Sequence, residues 1–216
     1  MFNFHTHNED TIPFLLNCYP GEINKEAAAI SVGLHPWQVS NDWKEKVDCV
    51  RNDAMSNNVW AIGECGLDKL CGNELAMQKE AFKTQIEISE ELSKPMIIHC
   101  VKAFDEVLRL RQELVTQSKH EGKHPQPWVI HGFRGKPEQA KQIMAKGILL
   151  SFGHQYNVET LRFVFASGYP FFLETDDLRL SVRQTYEQAC LHLGVSLCHL
   201  ENLCDPRQTI FHHGMI

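Results

Sequence analysis

Two histidines stand two residues apart, His5 and His7, at the end of an apolar opening, Phe2-Asn3-Phe4. On a strand the side chains alternate, so both imidazoles point one way, roughly 7 Å apart along the chain, and can share a metal ion. The same device returns four times as an apolar run ending in a metal-binding residue: Trp60-Ala61-Ile62-Gly63-Glu64, Pro95-Met96-Ile97-Ile98-His99, Trp128-Val129-Ile130-His131 and Phe171-Phe172-Leu173-Glu174-Thr175-Asp176. The candidate set is His5, His7, Glu64, His99, His131 and Asp176. A catalytic zinc takes about three protein ligands and keeps one position for water. Four imidazoles and two carboxylates therefore suit two ions, about 3.5–4 Å apart, with one carboxylate between them. Glu64 is the natural bridge. His5, His7 and Asp176 would complete one ion, and His99 and His131 the other.

Residues from five separated parts of the chain must be brought to one place, and the spacing of apolar residues says how. Segments 12–18, 30–34 and 148–152 read as further strands, giving eight in all. Helical spacing recurs between most of them. Trp43, Val47, Val50 and Ala54 form one such stripe, behind a cap at Ser40 or Asn41. Residues 74–92 carry Phe82, Ile86 and Leu92; a further helix carries Phe104, Val107, Leu108 and Leu114, before a solvated loop at 119–126. Pro137 opens another helix, and later ones carry Val158, Leu161 and Val164, then residues 182–193. Only residues 8–11 separate the first two strands, too few for a helical crossover. The expectation is an α/β fold, a compact TIM-type (β/α)8 barrel with the first helix missing or truncated. A doubly wound sheet is the competitor, but no Gly-x-Gly-x-x-Gly turn follows any strand. Only a closed barrel gathers five distant strand ends round one mouth, the face where barrel active sites lie.

At 216 residues one domain spanning 1–216 is expected. The formal charge of −6 excludes a broad basic surface that grips nucleic acid through its phosphates alone. Bound divalent ions would reverse the sign of the field locally. No apolar run has the length of a membrane span, and the N-terminus lacks a basic region followed by an apolar core. A cytoplasmic, monomeric protein with no membrane partner is expected. The eight cysteines form no Cys-x-x-Cys pair and read as reduced, buried small hydrophobes.

A series of motifs makes the expectation specific. His5-Thr6-His7, Gly33-Leu34-His35-Pro36, Gly63-Glu64-Cys65-Gly66-Leu67-Asp68, Pro95-Met96-Ile97-Ile98-His99, His131-Gly132-Phe133-Arg134-Gly135 and Glu174-Thr175-Asp176 resemble, in order, those of the TatD-related metal-dependent deoxyribonucleases, barrels of the amidohydrolase superfamily. The resemblance implies a two-metal hydrolase that cleaves phosphodiester bonds, mostly in DNA and often from the 3′ end. It carries the family's ligands onto the same six residues, places His35 beside the substrate and matches Asp68 to the Asp of the Gly-Leu-Asp motif. The family's Asp three residues after the second histidine falls at Asp10, with Glu9 beside it. Where the family commonly has Ser-Arg after the fifth-strand histidine, this chain has Cys100-Val101, and Lys102 follows as a possible point charge. Lys69 stands where Tyr is usual.

The mechanism expected is in-line attack by water, with Asp176 or Glu64 taking its proton and Asp176 preferred. His35, Lys102, Arg134 and Asp68 are the candidate substrate contacts. The cofactors expected are two divalent ions: zinc, magnesium or manganese. The substrate expected is DNA or a small phosphodiester. The alternatives are an amidohydrolase acting on a small C–N or phosphoester substrate, and a metal-binding module that holds nucleic acid or a partner without turnover. Many amidohydrolase barrels bridge their metals with a carbamylated lysine, and Glu64 at that strand end disfavours the first alternative. His154 follows the seventh strand toward the mouth, and His212-His213 reads as terminal surface.

Overall fold

The computed structural model describes residues 1–9 and 12–211; Asp10, His212 and His213 lie outside the described residues. Eight strands follow one another, β1 (Asn3–Thr6), β2 (Phe14–Cys18), β3 (Ile30–Val32), β4 (Val59–Asp68), β5 (Met96–Val101), β6 (Trp128–Ile130), β7 (Ile148–Phe152) and β8 (Phe171–Leu173). The helices are α1 (Trp43–Asp53), α2 (Leu75–Leu92), α3 (Phe104–His120), α4 (Pro137–Met144), α5 (Val158–Ala166), α6 (Val182–Leu193) and α7 (Leu197–Leu203). With sheet order β1 to β8 and helices between, the chain is a TIM-type (β/α)8 barrel. Among the described residues no helix lies between β1 and β2 or between β2 and β3, so two crossovers lack one rather than the first alone. None of the described helices is long and apolar enough to cross a membrane.

The chain divides into two compact units, Met1–Asn17 with Val129–Ile216, and Cys18–Trp128. In the first, β1 pairs in parallel with β2, and β7 with β8 in the register Leu150↔Phe171 to Phe152↔Leu173. Past β8 the chain meets β1 at the bridge Thr6↔Asp176. Phe4 and Phe172 stack with ring centroids 4.4 Å apart, and the Tyr186 hydroxyl of α6 donates to Phe2 O at 3.1 Å, fixing the start of β1. Asn157 and Ser181 cap α5 and α6 with their side-chain oxygens.

In the second unit β4 pairs in parallel with β3 and with β5. It does not stop at Glu64, as the apolar run implied, but runs on to Asp68, ten residues in all, beside the last residues of β5. Glycine makes that approach possible. Gly66 has φ +141°, and a Cβ there would fall onto the His99 carbonyl oxygen; one at Gly63 (φ +153°) would lie 2.5 Å from the Ile97 carbonyl oxygen. Asp42 rather than Ser40 or Asn41 stands at the N-cap position of α1, with no side-chain bond to the helix's first amides, and α3 runs to His120, into the stretch expected as loop. All eight cysteines are free. Burial pushes the Cys65 thiol up and the Cys100 thiol up to about 12, but Cys49 and Cys198 are exposed, against the expectation of burial throughout.

Candidate metal centre

In the unit that holds β1 and β8, five imidazole and carboxylate side chains converge. His5 is fully buried on β1, and His7 follows that strand. The chain past β8 is laced to them by its backbone: His7 N donates to Asp176 O at 3.0 Å, and Asp176 N to His5 O at 3.0 Å. Side chains tighten the join. Asn3 Nδ2 donates to Thr175 Oγ1 at 2.8 Å, and Thr175 N to Asn3 Oδ1 at 3.1 Å. Asp176 takes φ 56°, unusual for a residue other than glycine, and its Oδ1 lies 3.6 Å from both His5 Nε2 and His7 Nε2.

His131, just past β6, has its ring 4.4 Å from that of His5. Its Nδ1 meets Glu174 Oε1 at 3.3 Å; Gly132 N donates to the same oxygen at 2.8 Å, and Ser151 Oγ donates to Glu174 Oε2. Glu174 is wholly buried. A carboxylate held so by donors orients the imidazole it touches: with Nδ1 engaged, the favoured tautomer keeps the Nε2 lone pair for a ligand. His131, Glu174 and Asp176 each offer a donor atom within 4.8 Å of the others, a span that one cation can close. Glu174 stands in the Glu174-Thr175-Asp176 motif, where its local sequence assigns it no role. Glu174→Gln keeps the shape and removes the charge, so divalent-ion affinity is expected to fall about 10–100-fold, read by metal titration of the folded variant. Unchanged affinity would leave Glu174 a packing residue.

In the other unit β3 leads to His35, β4 supplies Glu64 and Asp68, and β5 supplies His99. Glu64 Oε1 lies 2.7 Å from His99 Nδ1 and 3.1 Å from His35 Nε2, and the rings of the two histidines are 4.4 Å apart. The donor atoms of His35, Glu64 and His99 also fall within 4.8 Å of one another. Asp68 Oδ2 meets His99 Nε2 at 3.2 Å and accepts from Trp37 Nε1 at 2.7 Å. Burial would raise the Asp68 carboxyl, but the Trp37 indole N–H, the Leu70 amide and His99 outweigh it and hold it below the usual carboxylate range. In both groups imidazole nitrogens suit a borderline cation such as zinc, and the carboxylate oxygens beside them also accept harder ions such as manganese.

Two glutamines of α2, absent from the sequence reading, hold this geometry. Gln78 accepts from Asp68 N at 2.9 Å and donates to Asp68 O at 3.0 Å; Gln85 accepts from Leu34 N at 2.7 Å and donates to Leu34 O at 3.2 Å. Both are buried, two helical turns apart, so one face of α2 fastens the ends of β3 and β4. Their signal was a polar pair at i and i+7 among the apolar positions.

The candidate substrate contacts divide. His35 and Asp68 stand in the β3–β5 group, whereas Lys102 (φ 54°) and Arg134 are exposed and have no ion pair or hydrogen bond to either group among the described residues. Lys69 is committed elsewhere, to Glu106 at 2.8 Å. Glu9 is exposed and borders a cavity with Thr6 and Arg179. His154 is half-buried past β7, its carbonyl oxygen accepting from Gln188 at 3.5 Å.

Comparison with known proteins identifies the family. An uncharacterized metal-dependent hydrolase YabD of Bacillus subtilis is 32% identical over 57% of this chain and 46% of its own length. A 3′-5′ ssDNA/RNA exonuclease TatD of Cronobacter sakazakii is 33% identical over 56% of this chain and 43% of its own. The chain spans about half the length of the curated relatives it matches. The crystal structure of YJJV, a TatD homologue from Escherichia coli k12, shares the fold with a TM-score of 0.68 and 16% identity, over 88% of this chain and 82% of that one. Residues 19–190, most of the chain, match the family described as TatD related DNase. With the motif residues gathered at the strand ends and the match running through both units, the chain belongs to the TatD related DNase family.

Proposed function

We propose that this chain is a metal-dependent hydrolase that cleaves phosphodiester bonds at the ends of single-stranded DNA, as one barrel domain of the amidohydrolase superfamily. One observation carries the reading: the family's motif residues form tight imidazole–carboxylate groups at strand ends, where barrel enzymes do their chemistry. His5, His7, Asp176, His131, Glu64 and His99 are the proposed ligands of two divalent ions. Such ions supply Lewis-acid charge to the scissile phosphate and acidify a water. Asp176 would take the proton of the attacking water, and Glu64 would hold metal with the histidines of the β3–β5 group. Glu174 and Asp68 orient His131 and His99 from behind. His35 is held against Glu64 where it can meet the substrate, while the exposed Lys102 and Arg134 are the proposed positive charges for it. The free state of all eight cysteines accords with a reducing compartment, and a cytoplasmic monomer is the form proposed.

Incubating the metal-loaded protein with a 3′-labelled single strand, with a p-nitrophenyl phosphodiester and with small amides tests the assignment. Release of nucleotides from the strand is expected. Amide hydrolysis alone would move the protein to C–N chemistry, and bound metal with no release from any substrate would make it a binding module.

A further inference from the structure

Trp37 is the anomaly of the second unit. It is 64% exposed, whereas Trp128 is fully buried. An exposed indole is normally free to turn, but this one is pinned: Nε1 donates to Asp68 Oδ2 at 2.7 Å, and Trp37 N donates to His35 Nδ1 at 3.2 Å. Its ring stands edge-on to His35, with centroids 5.0 Å apart, and lies 6.0 Å from that of His99. Asn73 Nδ2 donates to Pro36 O at 2.8 Å and holds the turn that carries it. Beside it opens a cavity of about 430 Å³ lined by Tyr19, Leu34, Trp37, Lys46 and Asn73, and Tyr19 is itself 40% exposed.

We propose that Trp37, with Tyr19 across this cavity, is a stacking platform for a nucleobase of the strand whose phosphate lies at the His35–Glu64–His99 group. The proposal rests on the phosphodiesterase reading and adds what that reading leaves out, how the strand is held. An anionic chain could not be gripped by bulk charge here, since the formal net charge is −6. A rigid aromatic face binds any base through its π-surface without reading sequence, and each stacked base contributes about 5- to 150-fold to affinity. The hydrogen bond to Asp68 couples the platform to His99, so a seated base and a placed phosphate are linked through one carboxylate. A volume of this size is ample for one planar heterocycle.

The test compares single strands whose last two nucleotides carry bases or are abasic, using metal-loaded protein. The wild type is expected to show a KM at least about tenfold higher for the abasic end. Trp37→Phe keeps the π-face and loses the N–H, so it should retain that preference while kcat falls for both strands. Trp37→Gln keeps a donor for Asp68 and loses the face, so the preference should drop below about twofold. A preference that survives in Trp37→Gln, or is absent from the wild type, would overturn the platform while leaving phosphodiester cleavage standing. If neither strand is cut, the phosphodiesterase reading fails by itself. Tryptophan emission titrated with oligothymidylate then decides: quenching that Trp37→Gln removes supports the platform, and no quenching overturns it.

Discussion

Asp176→Asn is expected to lower kcat about 10³-fold while the protein stays folded and able to bind divalent ions. The substitution is close to isosteric, and Asn tolerates the left-handed backbone that Asp176 adopts at φ 56°. The backbone bonds that hold the residue, Asp176 N to His5 O and His7 N to Asp176 O, are unaffected by the change. What is lost is the anionic oxygen 3.6 Å from two imidazole nitrogens, the group assigned to take the proton of water. Rates measured at saturating metal, beside metal content, separate the base from a mere ligand. Full activity with intact metal would remove Asp176 from the role. Restoration of the rate by raising metal concentration alone would make it a ligand only.

Glu64→Gln should be costlier for the metal itself. One Glu64 oxygen serves both His35 and His99, at 3.1 and 2.7 Å, and the residue is almost fully buried. Replacing it by an amide leaves imidazoles round a neutral group and removes the negative charge that a divalent ion needs. At least one ion per chain should be lost at micromolar metal, with the hydrolytic rate down by about 10³ or more. Asp68→Asn is the internal control. It touches His99 from the far nitrogen and should cost only about 10–100-fold in metal affinity, as orienting partners do. Equal effects of the two substitutions would contradict the division of labour between them.

The alternation of strand and helix was legible because each strand of a parallel barrel is an apolar run, and each helix an apolar stripe. The metal candidates were legible for a related reason: a polar residue ending an apolar run has few other uses. Glu174 escaped, because its role depends on Ser151 in β7 and on Gly132 past β6, and no local pattern announces such partners. Gln78 and Gln85 escaped because a buried glutamine on a helix reads as an interruption of the apolar face, although here it replaces the hydrogen bonds that strand ends lack. The overrun of β4 to Asp68 was hidden by its glycines, which lower strand propensity yet are what allow β4 to lie so near β5. Asp68 thus reaches His99 by a route that periodicity alone could not trace.

The most direct test is elemental analysis of the purified protein alongside release from a 3′-labelled single strand, before and after chelation and re-addition of zinc, manganese or magnesium. The account predicts close to two divalent ions per chain, loss of nucleotide release on chelation and its return with metal. Protein that binds no divalent ion after re-addition, or that releases nucleotides equally well in chelator, would contradict it.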